Sequence, residues 1–141
     1  MSATNVQFTV AAHILAALAL RHGEGIPSSA LAGSVHADPS FVRKSLSKLA
    51  KAGLVVARRG KGGASLLARP PKQITLLDIY RASAAPPVFA VHDYPVDKNC
   101  PVSCNIKISM STVLAKAQGS FEKSLAKITL ADVVAEISKM K

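Results

Sequence analysis

Two sets of residues in this 141-residue chain have the types and spacing to do chemistry. The first is a run of cations. No acidic residue lies between Asp38 and Asp78, yet Arg43, Lys44, Lys48, Lys51, Arg58, Arg59, Lys61, Arg69 and Lys72 all fall there. A folded surface so one-sided in charge suits a polyanion, and a helix followed by a basic hairpin suits double-stranded DNA. The second set is a pair of thiols, Cys100 and Cys104. They stand at the start of a helix, with Lys98 and Lys107 nearby, surroundings in which thiols tend to react. His13, His22 and His36 show no metal-ligand spacing, and no paired carboxylates or Ser-His-Asp set stands out. Neither an enzyme nor a metal site is expected.

The charge is localised. Residues 1–72 hold ten Lys/Arg against Glu24 and Asp38, a net of +8; residues 73–141 hold eight against six Asp/Glu, a net of +2. One part therefore binds and another does something else. A basic RNA- or ribosome-binding module is an alternative, as is a redox-responsive protein-interaction factor that meets DNA only non-specifically. The length fits one domain, or a small domain with an appendage. No apolar run reaches the roughly 20 residues that cross a bilayer, and no basic region precedes an apolar core at the N-terminus, as a secretory signal requires. A cytoplasmic protein without a membrane partner is expected, its two cysteines kept as thiols.

The positioning elements follow from periodicity and caps. Val6, Val10, Ile14, Ala17 and Leu18 predict a helix over 6–21, ended by His22-Gly23-Glu24-Gly25. Pro27-Ser28-Ser29 opens a short second helix to about residue 34, where a serine is expected to cap. Asp38 caps a third helix that starts at Pro39 and runs to about residue 52. Phe41, Val42, Leu46 and Leu49 form its inward stripe, with Ser40, Arg43, Lys44, Ser47 and Lys51 mainly opposite. Residues 54–58 and 65–68 read as strands joined by a glycine-rich tip, 59–63. A short helix over 74–82 takes Thr75 as its cap. The segment 84–96, with three prolines, is a linker or extended loop. A long helix follows over 102–127, and Thr129 begins a last short one. The long helix has more apolar face than one small domain covers, which favours packing against a second copy over folding back on its own domain.

Three pieces coincide. Ser28 to Leu54 forms a helix-turn-helix ending in Leu46-Ser47-Lys48-Leu49-Ala50-Lys51-Ala52-Gly53-Leu54-Val55. Arg59-Gly60-Lys61-Gly62-Gly63-Ala64-Ser65-Leu66-Leu67-Ala68 follows as a wing, and Arg69-Pro70-Pro71 precedes Ile74-Thr75-Leu76-Leu77-Asp78-Ile79. Together they resemble the Rrf-two family of bacterial winged-helix transcription regulators, over nearly the whole chain. Thr129-Leu130-Ala131-Asp132-Val133 looks like that family's final helix. The glycine-rich tip lacks the Lys-Ser/Thr ending of a nucleotide-binding P-loop.

The resulting fold class is mainly α with a small β-hairpin: a winged helix-turn-helix plus a long C-terminal dimerisation helix. The domains are 1–82 for DNA binding, 83–99 as linker, and 100–141 for dimerisation and sensing. Ser40, Arg43 and Lys44 would read DNA from the third helix. Ser28 and Ser29 would hold a phosphate, and Arg58, Arg59 and Lys61 would grip from the wing. The resemblance implies a homodimeric repressor on a palindromic operator. Several members hold an iron–sulfur cluster on three cysteines ahead of the long helix. Here residues 92–104 supply only Cys100 and Cys104; a cluster would need His92, Asp93 or Asp97 to complete its ligands, so no cofactor is expected, and a thiol-redox switch is the more economical reading. The bland reading is that both thiols only pack the dimer seam.

Overall fold

A proline ring fixes φ and has no N–H to lose, so Pro39 suits the first position of a helix. In the computed structural model, which describes residues 5–21, 23–58 and 63–140, it opens α3 (Pro39–Lys51). The Asp38 carboxylate accepts from the Ser40 amide at 2.7 Å and from its hydroxyl at 2.8 Å. The other end of α3 closes on Gly53, whose φ of +77° suits glycine. Gly53 N–H donates to Ala50 O and Leu54 N–H to Leu49 O, the paired bonds of a Schellman cap.

Before it come α1 (Gln7–Leu20), β1 (Ile26–Pro27) and α2 (Ser28–Val35). The expected serine cap of α2 is a correction. Pro27 occupies the cap position without a side-chain bond, and Ser28 already lies inside the helix. After α3 come β2 (Val55–Ala57), β3 (Ala64–Leu67), a 3-10 turn (Pro71–Gln73) and α4 (Leu76–Ala82). The hairpin pairs Val55 with Leu67 and Ala57 with Ser65, and β1 adds antiparallel to β3 through Ile26 and Ser65, giving the order β1-β3-β2. This third strand has no signature in the sequence: it is two residues long and contains a proline, which an edge strand tolerates.

The chain falls into two compact units: residues 1–85 with 125–141, and residues 86–124. In the first, α1 is apolar on nearly every face and touches α2, α3, α4, β3 and α6 (Leu130–Lys139). Ile14, Leu15, Leu31, Val42, Leu49, Leu54, Ile74, Ile79 and Leu130 are fully buried. The inward stripe of α3 is Val42, Ser45 and Leu49, with Phe41 and Leu46 half-buried. The division drawn from the sequence grouped α6 with the long helix in 100–141, whereas α6 packs on α1.

Chain reversal there is held by a repeated device. Thr75 and Asp78 form a capping box at α4, and Thr129 and Asp132 form another at α6. The two boxes lie side by side. Leu76 N–H donates to Ile128 O and Leu130 N–H to Ile74 O, both at 2.8 Å, as an antiparallel bridge.

The second unit holds an extended segment and most of α5 (Pro101–Ala126). The Tyr94 hydroxyl donates to Ser103 O, and Ser103 Oγ accepts from the Asp97 amide at 2.8 Å. Val102, Ile108 and Val113 on α5 are more than half exposed. Loss of one N-cap hydroxyl costs about 1 kcal/mol. Thr129→Ala should therefore lower unfolding stability by about that amount in a urea titration.

Candidate nucleic-acid interface

A helix turns about 100° per residue, given roughly 3.6 residues per turn, so residues three and four apart share a face. On α3 the exposed ridge carries Ser40, Ser47 and Lys51, all exposed. Arg43 stands on one edge of that ridge, and Lys44 with Lys48 on the other. Arg43 and Lys44 are exposed and Lys48 half-buried. Among the described residues none of Arg43, Lys44, Lys48 and Lys51 is held in an ion pair. Four cations are thus presented on a rigid element capped at both ends.

One carboxylate approaches this face. Asp38 lies below the ordinary carboxylate range, first because it accepts from the Ser40 hydroxyl, then from the Ser40 amide, with Arg43 and Lys44 adding attraction. Its charge is directed to the cap, and among the described residues no salt bridge joins it to Arg43 or Lys44.

The wing root is anchored. Arg58 N–H donates to Ala64 O at 2.7 Å, extending the hairpin. Its guanidinium Nη1 donates to Glu24 O at 2.8 Å, across 34 residues. Gly25 makes room for this: at φ +75°, an added Cβ would stand 3.2 Å from Ala64 Cβ and 3.4 Å from Arg58 Nη1. Arg58, expected only as a DNA contact, therefore also ties the hairpin to the turn before β1. Sequence reasoning missed Glu24 and Gly25 as its partners; the one hint was the glycine-rich stretch after α1. Arg59 and Lys61, the expected tip contacts, lie outside the described residues. Ser28 is half-buried and Ser29 exposed in the first turn of α2. The turn between α2 and α3 is left-handed at His36 (φ +57°).

In the second unit, Cys100 directly precedes α5. Its sulfur accepts from the Ser103 amide at 3.4 Å, and its carbonyl from the Cys104 amide at 3.0 Å. Cys104 is exposed, its thiol directed to the carbonyls of Asp97 and Lys98 at 3.6 and 3.7 Å. Within a single chain Cys104 is exposed and Cys100 partly exposed. A cluster held by three thiolates does not fit the two thiols present. Among the described residues no group of three or more His, Cys, Asp or Glu could hold a metal ion. Among them, too, no helix is long and apolar enough to cross a membrane.

Comparison with known proteins agrees with this geometry. A family profile, Rrf2, described as "Iron-dependent Transcriptional regulator", matches residues 4–136. The chain is 37% identical over 131 residues to the "Putative HTH-type transcriptional regulator YwnA" of Bacillus subtilis (strain 168), covering 92% of this chain and 96% of that one. Among solved structures, T. potens IscR superposes with a TM-score of 0.72 at 23% identity, covering 100% of this chain and 91% of that one. CymR (YrzC), the global cysteine regulator of B. subtilis, gives 0.66 at 24%, covering 96% and 98%.

The Asp38 cap carries a pH signature. A carboxylate whose folded pKa is depressed stabilises the fold above its unfolded pKa, and that contribution is lost as pH falls through the folded one. Wild type should therefore outlast Asp38→Asn in thermal melts at neutral pH. The gap should close as pH drops below about 4, the ordinary aspartate range.

Proposed function

The chain belongs to the Rrf2 (Rrf-two) family of winged-helix transcription regulators, and from that premise we propose that it acts as a homodimeric repressor on a palindromic duplex operator. The observation that carries the reading is the outer face of α3: Ser40, Arg43, Lys44, Ser47 and Lys51, all exposed and without ion pairs among the described residues. A helix so dressed suits the major groove. Arg43 reads a base edge, where a good bidentate contact to guanine carries about 1–3 kcal/mol of discrimination. Lys44 serves a base or a phosphate. Ser28 and Ser29 offer hydroxyls and amides to the backbone, and the wing residues Arg58, Arg59 and Lys61 grip it. The exposed apolar side chains of α5 support a second copy as its partner. Repression follows by occlusion of the promoter, on family analogy.

A titration of duplex binding against salt checks the core of this. Each phosphate neutralised contributes about −0.9 to the log–log slope, so the loss should be steep. Arg43→Ala should change which duplexes are recovered from a random pool, and the wild-type consensus should be palindromic. Flat salt dependence, or preference for structured RNA in competition, would sink the reading in favour of the RNA-binding alternative.

Regulation by thiol oxidation is a second reading, supported by the exposure of Cys104 and the seat of the Cys100 sulfur on the first turn of α5. Hydrogen peroxide takes two electrons and two protons from the pair, leaving one S–S bond and two waters. The bridge lies within one subunit or between two. Duplex affinity should differ between oxidised and reduced wild type, and the difference should vanish in Cys100→Ser/Cys104→Ser. Equal affinity in both states for wild type would dismiss the switch.

A further inference from the structure

Beside α3, on the edge away from Arg43, the first unit has a hollow of about 210 Å³ lined by Gln7, Phe41, Lys44, Ser45, Lys48 and Ser83. It brings together the first residue of α1, one flank of α3 and the end of α4. Its floor is firm. Ser83 is 3% exposed, and its hydroxyl donates to Tyr80 O at 2.7 Å while accepting from the Ala85 amide at 3.3 Å. Ser45 is also buried. The charged rim is Lys44 and Lys48, one helical turn apart, and no carboxylate lines the hollow. At about 30 Å³ per water in bulk, the space takes a phosphate group with room for solvent.

Within the fold Lys48 has the modest task of a cation in the last turn of α3. Its side chain is half-buried beside this hollow, without an ion pair among the described residues. A helix lying in the major groove meets base edges along its ridge and backbone phosphates along its flanks. Arg43 and Lys48 sit on opposite edges of the ridge, so they face opposite walls of the groove.

We propose that this hollow seats one backbone phosphate of the strand on that wall, held by Lys48 and Lys44, with the Gln7 side-chain amide as a further donor. The inference rests on the duplex-reading function above and adds a contact that holds tightly but does not read sequence.

The test uses the full chain and duplexes selected by the wild type. Binding is measured against salt for wild type, Lys48→Ala, Lys48→Arg and Gln7→Ala, with phosphate-ethylation interference alongside. Thermal melts confirm that each variant folds. Lys48→Ala should bind every duplex roughly tenfold more weakly, the loss expected of one charge-assisted hydrogen bond. The rank order should not change, and the slope should become shallower by about 0.9. One ethylation-sensitive position per half-site should disappear, and Lys48→Arg should restore it. Gln7→Ala should weaken binding less, at the same position. Wild-type affinity, slope and interference in Lys48→Ala, while wild type binds steeply with salt, would overturn the phosphate seat and leave the duplex reader standing. Altered rank order would overturn it too, because Lys48 would then be reading a base. Absence of salt-steep duplex binding by wild type would remove both.

Discussion

Two backbone hydrogen bonds join parts of the first unit that are far apart in sequence: Leu76 N–H to Ile128 O and Leu130 N–H to Ile74 O. They lock the start of α6 beside the start of α4, although α5 and the extended segment lie between them in sequence. A helix as uniformly apolar as α1 must be surrounded to be stable in water, and α2, α3, α4 and α6 all touch it. Helix α3 touches this central rod too, with Val42, Ser45 and Leu49 buried. The packing around α1 is supported by this stitch between the starts of α4 and α6.

Local signals in the sequence were strong wherever a cap was present. Asp38-Pro39, Thr75 to Asp78 and Thr129 to Asp132 each announce a helix start through side-chain chemistry that acts over two or three residues, and all three form. Long-range features were not legible. The strand at Ile26–Pro27 is too short for periodicity to register and exists only because β3 offers an edge. The Arg58 bond to Glu24 O spans 34 residues. Ser45, polar and yet buried, breaks the apolar stripe that marks the inward face of α3. The repeat of Ile-Thr-Leu-x-Asp at 74–78 and 128–132 was visible as two similar strings, but their pairing is a matter of three dimensions.

The candidate site divides in a similar way. The charges of α3 and its exposed ridge follow from helical spacing alone. What spacing cannot supply is the neighbour of each flank: the hollow beside Lys48 depends on α1 and α4, and the anchoring of Arg58 depends on a glycine before β1. The thiols were legible as a pair. Their surroundings depend on the carbonyls of Asp97 and Lys98 and the amide of Ser103, which only the local turn brings to the sulfurs.

The stitch also fixes the topology of inheritance and damage. Residues 86–124 leave one compact body and return to it, so they are an insertion rather than a tail. A protease that nicked this excursion would not thereby set α6 free. The two fragments would stay docked through the paired capping boxes and the burial of Leu130, much as a split protein stays whole.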